Sequence, residues 1–249
     1  RYDIEKLLKV KQSFPDYVKV MVETDEESDE QTKKITVRSI NDCLLGMKSG
    51  GEYIDTKFMF AAYVNENNPY IDQILGYALK KEYVTSFKGY QGDAESVFKE
   101  VAAIYQTLQD LKFHYSSITE SSGEEVDIRT QHVRFVGESL NTSQANCIDG
   151  TVIFASVFKK LGLHPVIITV PGHAFVGVYL TKDKNMETLC PIETTMVGSR
   201  SVQDAVNYGM GNIKKHWDEF QDEKNRQCMM IDVREARSIG ISPIPEAVQ

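Results

Sequence analysis

Hydrophobic and polar positions change period several times along the chain, and each change predicts an element. Tyr17 to Val22 alternates, with Tyr17, Lys19 and Met21 on one side and Val18, Val20 and Val22 on the other, which predicts a strand. Glu23 to Lys34 holds no apolar residue and reads as a solvated hairpin loop. A calcium loop would need alternating ligands and a glycine, and the acidic run Asp25 to Glu30 has neither. Lys33 to Leu45 reads as a strand on Ile35, Val37 and Ile40. Ser49-Gly50-Gly51 reads as a turn, and Lys57 to Val64 as a third strand or short buried segment. Residues 1–64 are therefore expected to form a small β-rich unit packed on a domain spanning residues 65–249.

Beyond Pro69 the period lengthens. Ile71, Ile74, Leu75, Ala78 and Leu79 fall on one helical face. So do Val97, Val101, Ile104, Tyr105, Leu108 and Leu111, behind Asp93 as a cap. Ser116 to Asp127 reads as a loop. Ile148 to Leu161 is the clearest helix, ended by Gly162. Strands follow at Pro165 to Val170, Ala174 to Leu180 and Leu189 to Glu193, with connections short enough to favour antiparallel pairing. Ser201 caps a helical segment reaching about Lys224, and Cys228 to Val233 is a last strand. The pattern predicts an α+β fold, with helices packed on an antiparallel sheet.

Composition narrows the function classes. The chain has 249 residues, 41% hydrophobic and 26% charged, enough for a sizeable core. Its net charge of −8 builds no basic face for nucleic acid or acidic lipid. No apolar run reaches the ~20 residues of a membrane helix. Four dispersed cysteines, Cys43, Cys147, Cys190 and Cys228, have neither zinc-type nor redox-motif spacing. The start at Arg1 rather than Met leads us to expect that an upstream segment was removed, and localisation stays open. No cofactor motif is read.

Candidate chemistry lies between residues 146 and 195. Cys147 precedes the clearest helix, where unpaired N–H groups and the macrodipole favour a thiolate and could hold an oxyanion. A buried structural thiol is the competing reading, and it suits Cys43, Cys190 and Cys228 better than Cys147, whose neighbours Asn146, Asp149 and Gly150 are not typical core residues. His173 follows the Pro171-Gly172 turn and is the candidate base. Glu193 ends a strand and is the candidate group that orients the imidazole. Cys147 and His173 alone fall short of the three protein ligands of a catalytic zinc.

These segments resemble a family. Asn146-Cys147-Ile148-Asp149-Gly150-Thr151 with Leu161-Gly162-Leu163-His164-Pro165 is similar to the helix block of the transglutaminase-like superfamily. Gly172 to Leu180 resembles its histidine strand, and Pro191-Ile192-Glu193-Thr194-Thr195 its acidic strand. Phe60 to Asn65, Gly89-Tyr90-Gln91, Ala103 to Tyr105 and Ile231 to Arg237 extend the likeness towards a bacterial branch. The resemblance implies a papain-like α+β fold and a Cys147–His173–Glu193 triad working through an acyl-thioester. Hydrolysis of a peptide or amide bond is expected ahead of cross-linking, because bacterial relatives are often proteases or amidases. The family more often has Asp at the third position, so Glu193 is one methylene longer. Gln91 is the expected supporting oxyanion side chain. The alternative is a binding or scaffold module that has lost catalysis. A peptide or protein is the expected partner, and oligomeric state is left open.

Overall fold

The computed structural model describes residues 3–116, 124, 125, 127–222 and 227–246. A short helix α1 (Ile4–Leu7) leads into an antiparallel ribbon of β1 (Phe14–Glu23) and β2 (Ser28–Val37), in register from Phe14 opposite Val37 to Glu23 opposite Ser28. Most of the acidic stretch read as a loop is strand β2, and only Thr24–Glu27 turns, closed by Thr24 N–H on the Glu27 carbonyl at 2.8 Å. Every β1 residue is exposed, so the ribbon is held by cross-strand backbone pairing and not by burial. Its polar strand therefore carries no hydrophobic alternation to read.

The segment expected as one strand from Lys33 to Leu45 is broken at residues 38–41. β3 (Asp42–Ser49) starts a new sheet with β4 (Glu52–Asp55). Lys57–Tyr63 is a 3₁₀ turn and not a third strand. Phe60, Ala61, Ala62 and Tyr63 are buried in succession, which a one-sided strand cannot arrange. Helices α2 (Pro69–Lys80) and α3 (Ala94–Asp110) follow, capped by the side chains of Asn68 and Asp93. The loop expected from Ser116 to Asp127 lies largely outside the described residues. The two-residue strand β5 (His114–Tyr115) precedes it, and its described part includes the two-residue strand β6 (Glu124–Glu125). β7 (Ile128–His132) pairs with β3 and β6, giving a sheet ordered β4-β3-β7-β6. This sheet runs across the boundary expected at residue 64. Cys43, Phe60 and Tyr63 share one core with the helices that follow.

Helix α4 (Val136–Thr142) and β8 (Gln144–Ala145), which pairs in parallel with β5, lead to α5 (Cys147–Lys160). Residues Ile148 to Phe158 of α5 are all buried, as expected of a helix that is apolar nearly all round. α5 packs on β9 (His164–Val170) and β10 (His173–Tyr179). With β11 (Leu189–Ile192) and β12 (Met229–Asp232) these form an antiparallel sheet ordered β11-β10-β9-β12. α6 (Val202–Lys215) and α7 (Trp217–Gln221) lie on its other face. There Val166, Ile168 and Phe175 pack with Ile213 and Phe220, while Ile167, Val176 and Val178 belong to the core around α5. Both faces are covered, which explains why every residue of β9 is buried. α8 (Val233–Ser238) ends the chain's regular structure. From it Arg237 donates to the carbonyls of Ala61, Val64 and Ile241, and Ile244 N–H reaches the Ala62 carbonyl at 2.8 Å. The architecture is α+β, with helices on antiparallel sheets, and no described helix is long and apolar enough to cross a membrane.

Candidate active site

Asn146 caps α5, its side-chain oxygen accepting from Asp149 N–H at 2.9 Å, while the Asp149 carboxylate accepts from Asn146 N–H at 3.0 Å. This reciprocal capping box settles two of the first donors, and Gly150 N–H begins the helical ladder on the Asn146 carbonyl. The N–H groups of Cys147 and Ile148 are the ones for which helix geometry supplies no acceptor within α5. Asp149 is fully buried and also takes Arg134 N–H at 2.8 Å and the Arg134 guanidinium at 3.1 Å. Burial raises its carboxyl pKa, against the pull of these bonds and the Arg134 charge. The residues flanking Cys147 are thus buried after all, through capping and close approach, while Cys147 itself keeps partial access to solvent.

Cys147 differs from the other three cysteines in this. Cys43 and Cys190 are buried, and burial pushes each thiol up to about 12. Cys228 is also buried and its thiol is raised, chiefly by desolvation. These three behave as inert core thiols.

Gly172 turns β9 into β10 with a φ of 70°, a conformation that favours glycine, and so sets His173 opposite Val170. The His173 Nε2–H donates to Glu193 Oε2 at 2.7 Å. The remaining nitrogen, Nδ1, is left for Cys147, which lines the same groove. Burial lowers the imidazole pKa, but hydrogen bonds to Cys147 and Glu193 and their charges outweigh it, and His173 is held up at about 10.

The extra methylene of Glu193 is absorbed locally. Its carboxylate is 1% exposed, and Oε1 accepts from Thr195 N–H at 3.1 Å and Thr195 Oγ1–H at 2.6 Å. Glu193 N–H is fixed on the Ala205 carbonyl of α6 at 3.1 Å. The turn that carries this carboxylate lies against α5. A Cβ on Gly150 would stand 2.9 Å from Thr194 Oγ1, and Thr194 also reaches the Cys147 carbonyl. Cys147, His173 and Glu193 are thereby brought to one site.

Gln91 is not brought to it. Gly89, two residues earlier, abuts the carbonyl of Leu161 at the C-terminal end of α5, and Gln91 is exposed. The helix between has 14 residues, a span of about 21 Å. The groove over Cys147 has a volume of about 440 Å³, and it is lined as well by Leu45 of β3, Tyr53 of β4, Lys57, and Arg129 and Gln131 of β7. Gln131 lines this groove together with Cys147. One of its amide hydrogens goes to the His132 carbonyl at 3.1 Å, and the amide has a second. Tyr115 of β5 is half exposed; its phenol pKa is raised by burial and then by the charges of Cys147 and Glu193. Nothing in the local pattern marked the β7 residues, because their role depends on pairing across about 85 residues of chain. The Asn146-x-x-Asp149 spacing of a capping box and the threonines beside Glu193 were readable signals.

No family model, no curated protein and no solved structure matches the chain in comparison with known proteins.

Proposed function

We propose that the chain is a cysteine-dependent acyl-transfer enzyme of the transglutaminase-like type on a papain-like fold, hydrolysing a peptide or amide bond. One observation carries the reading: a partly accessible cysteine at the first position of a helix lines one groove with an imidazole whose Nε2 is held by a buried carboxylate. In this reading the Cys147 thiolate attacks the carbonyl carbon, and the new S–C bond places a negative charge on oxygen. The N–H groups of Cys147 and Ile148 and the free amide hydrogen of Gln131 supply donors for that charge. The imidazolium Nδ1–H then protonates the leaving nitrogen as the C–N bond breaks. Water adds to the acyl-thioester and returns a proton to Nδ1, and the S–C bond breaks to release a carboxylic acid and restore the thiolate.

The test is a peptide-library digest read by mass spectrometry, comparing the chain with its Cys147→Ala variant. New termini that depend on Cys147 are expected. Identical digests would refute the hydrolase reading and leave a binding module as the alternative. Within active material, Gln131→Ala should lower kcat by about 10- to 1,000-fold with KM less affected, whereas Gln91→Ala should change neither.

A further inference from the structure

We infer that two copies of the chain pair edge to edge through β2, forming an antiparallel four-stranded sheet ordered β1-β2-β2-β1 about a two-fold axis. The inference is independent of the chemistry read at Cys147.

The ribbon is the first observation. β1 and β2 have ten residues each, yet all of β1 and most of β2 are exposed, and no ribbon residue belongs to either hydrophobic core. Among the described residues neither outer edge of the ribbon is paired. A two-stranded sheet with neither face covered is marginal in water, and a free edge is a template for another strand. The register places the exposed Val18, Val20 and Val22 on one face, opposite Lys33, Gln31 and Asp29.

The order of charge along β2 is the second, and it selects a second copy as the occupant. Asp29 and Glu30 are followed by Gln31 and Thr32 and then by Lys33 and Lys34. An antiparallel copy brings acids opposite bases, whereas a parallel copy in register would bring like charges together. Asp29 and Lys33 are unclaimed: neither has an ion pair or a side-chain hydrogen bond among the described residues. Asp16 lies diagonal to Lys33 on the same face, but its carboxylate accepts from Tyr17 N–H at 2.8 Å. Glu30 is already paired with Lys19 at 2.6 Å, so the argument does not use its charge.

The backbone is the third. Thr24 N–H on the Glu27 carbonyl makes residues 24 and 27 a hydrogen-bonded pair, and such pairs alternate along the ladder. Asp29, Gln31 and Lys33 therefore bond towards β1, while Ser28, Glu30, Thr32 and Lys34 turn N–H and C=O outward. A two-fold axis at Gln31, normal to the sheet, sets Glu30 against Thr32 and Ser28 against Lys34 of the second copy as hydrogen-bonded pairs. Asp29 of each copy then faces Lys33 of the other in a pair without backbone bonds, where side chains stand closest. The free edge of β1 is poorer, because Pro15 falls at an outward position and has no N–H to give.

The test is sedimentation velocity of the whole chain from about 1 to 500 µM, a range suited to a small interface. A reversible monomer–dimer shift is expected, weaker in about 0.5 M salt. Asp29→Lys and Lys33→Glu each set like charges opposite each other, and each should raise the dimer Kd at least about fivefold. Their equimolar mixture should associate again, and so should the double variant Asp29→Lys/Lys33→Glu. In a Cys147→Ala background, diamide should link Gln31→Cys chains into a disulfide dimer and leave Val20→Cys chains unlinked, since only position 31 meets itself across the axis. A chain that stays monomeric throughout, association that both single variants leave unchanged, a double variant that does not recover, or cross-linking at Val20→Cys in place of Gln31→Cys would overturn the inference.

Discussion

Replacing Glu193 by Gln keeps size and shape and removes one charge. Thr195 donates twice to Oε1, so the amide oxygen of the substituted side chain must stay on that side. The amide NH₂ then faces His173 Nε2, where the native carboxylate accepts at 2.7 Å. Two donors now oppose each other whenever Nε2 is protonated, which drives the proton off Nε2 and favours a neutral ring. A hydrogen bond to a charged partner contributes about 1.5–3 kcal/mol, and 1.36 kcal/mol corresponds to one pKa unit. His173, held at about 10 in the native chain, should therefore titrate near about 8 to 9 in Glu193→Gln. The assay is heteronuclear NMR of the imidazole nitrogens across pH, with the His173 signal assigned from a His173→Gln variant. A midpoint that stays put, or rises, would refute the role given to the carboxylate.

Further outcomes follow from the same geometry. The folded-state pKa of His173 lies above its ordinary 6.5, so its contribution to stability is full below that value and is lost as pH rises through about 10. Urea melts should show stability falling from pH 7 to 10, with a flatter profile in His173→Gln. Gly150→Ala and Gly76→Ala should differ in sign. Nothing lies within 4 Å of a Cβ at Gly76, so Ala there should gain about 0.5–1 kcal/mol. At Gly150 the clash with buried Thr194 should cost about 1–3 kcal/mol before that gain, displacing the turn that carries Glu193 and slowing alkylation of Cys147. Arg134→Met leaves the Asp149 carboxylate buried without its cation and should cost about 3 kcal/mol in the same melts, more than the double variant with Asp149→Asn.

Periodicity served best where burial is one-sided or complete. The helix read from Ile148 to Leu161 is α5, and the strands read at Pro165, Ala174 and Leu189 are β9, β10 and β11. In each, the apolar pattern reports the packing that holds the element. Periodicity failed at β2, which is stabilised by backbone pairing while most of its side chains stay in water; at Lys57–Tyr63 the apolar run left a strand and a short buried segment open, and the buried segment is what forms. It also missed β7, a five-residue strand that pairs with β3 from far along the chain. Within the site, Cys147, His173 and Glu193 sit at element edges, and edges can be read locally. The groove wall of Arg129 and Gln131 comes from a tertiary pairing, and so the oxyanion role was sought on Gln91, at the wrong end of α5.

The central claim is that Cys147 is a nucleophile assisted by His173. It is tested most directly by the rate at which iodoacetamide alkylates Cys147 as pH is lowered from 8 to 6, resolved by mass spectrometry of the Cys147 peptide. An unassisted thiol loses about tenfold in rate per pH unit below its pKa of about 8.5. The account predicts that alkylation of Cys147 falls less over this range in the native chain than in His173→Asn. A native rate that drops about 100-fold from pH 8 to 6, or a variant that matches the native profile, would contradict it.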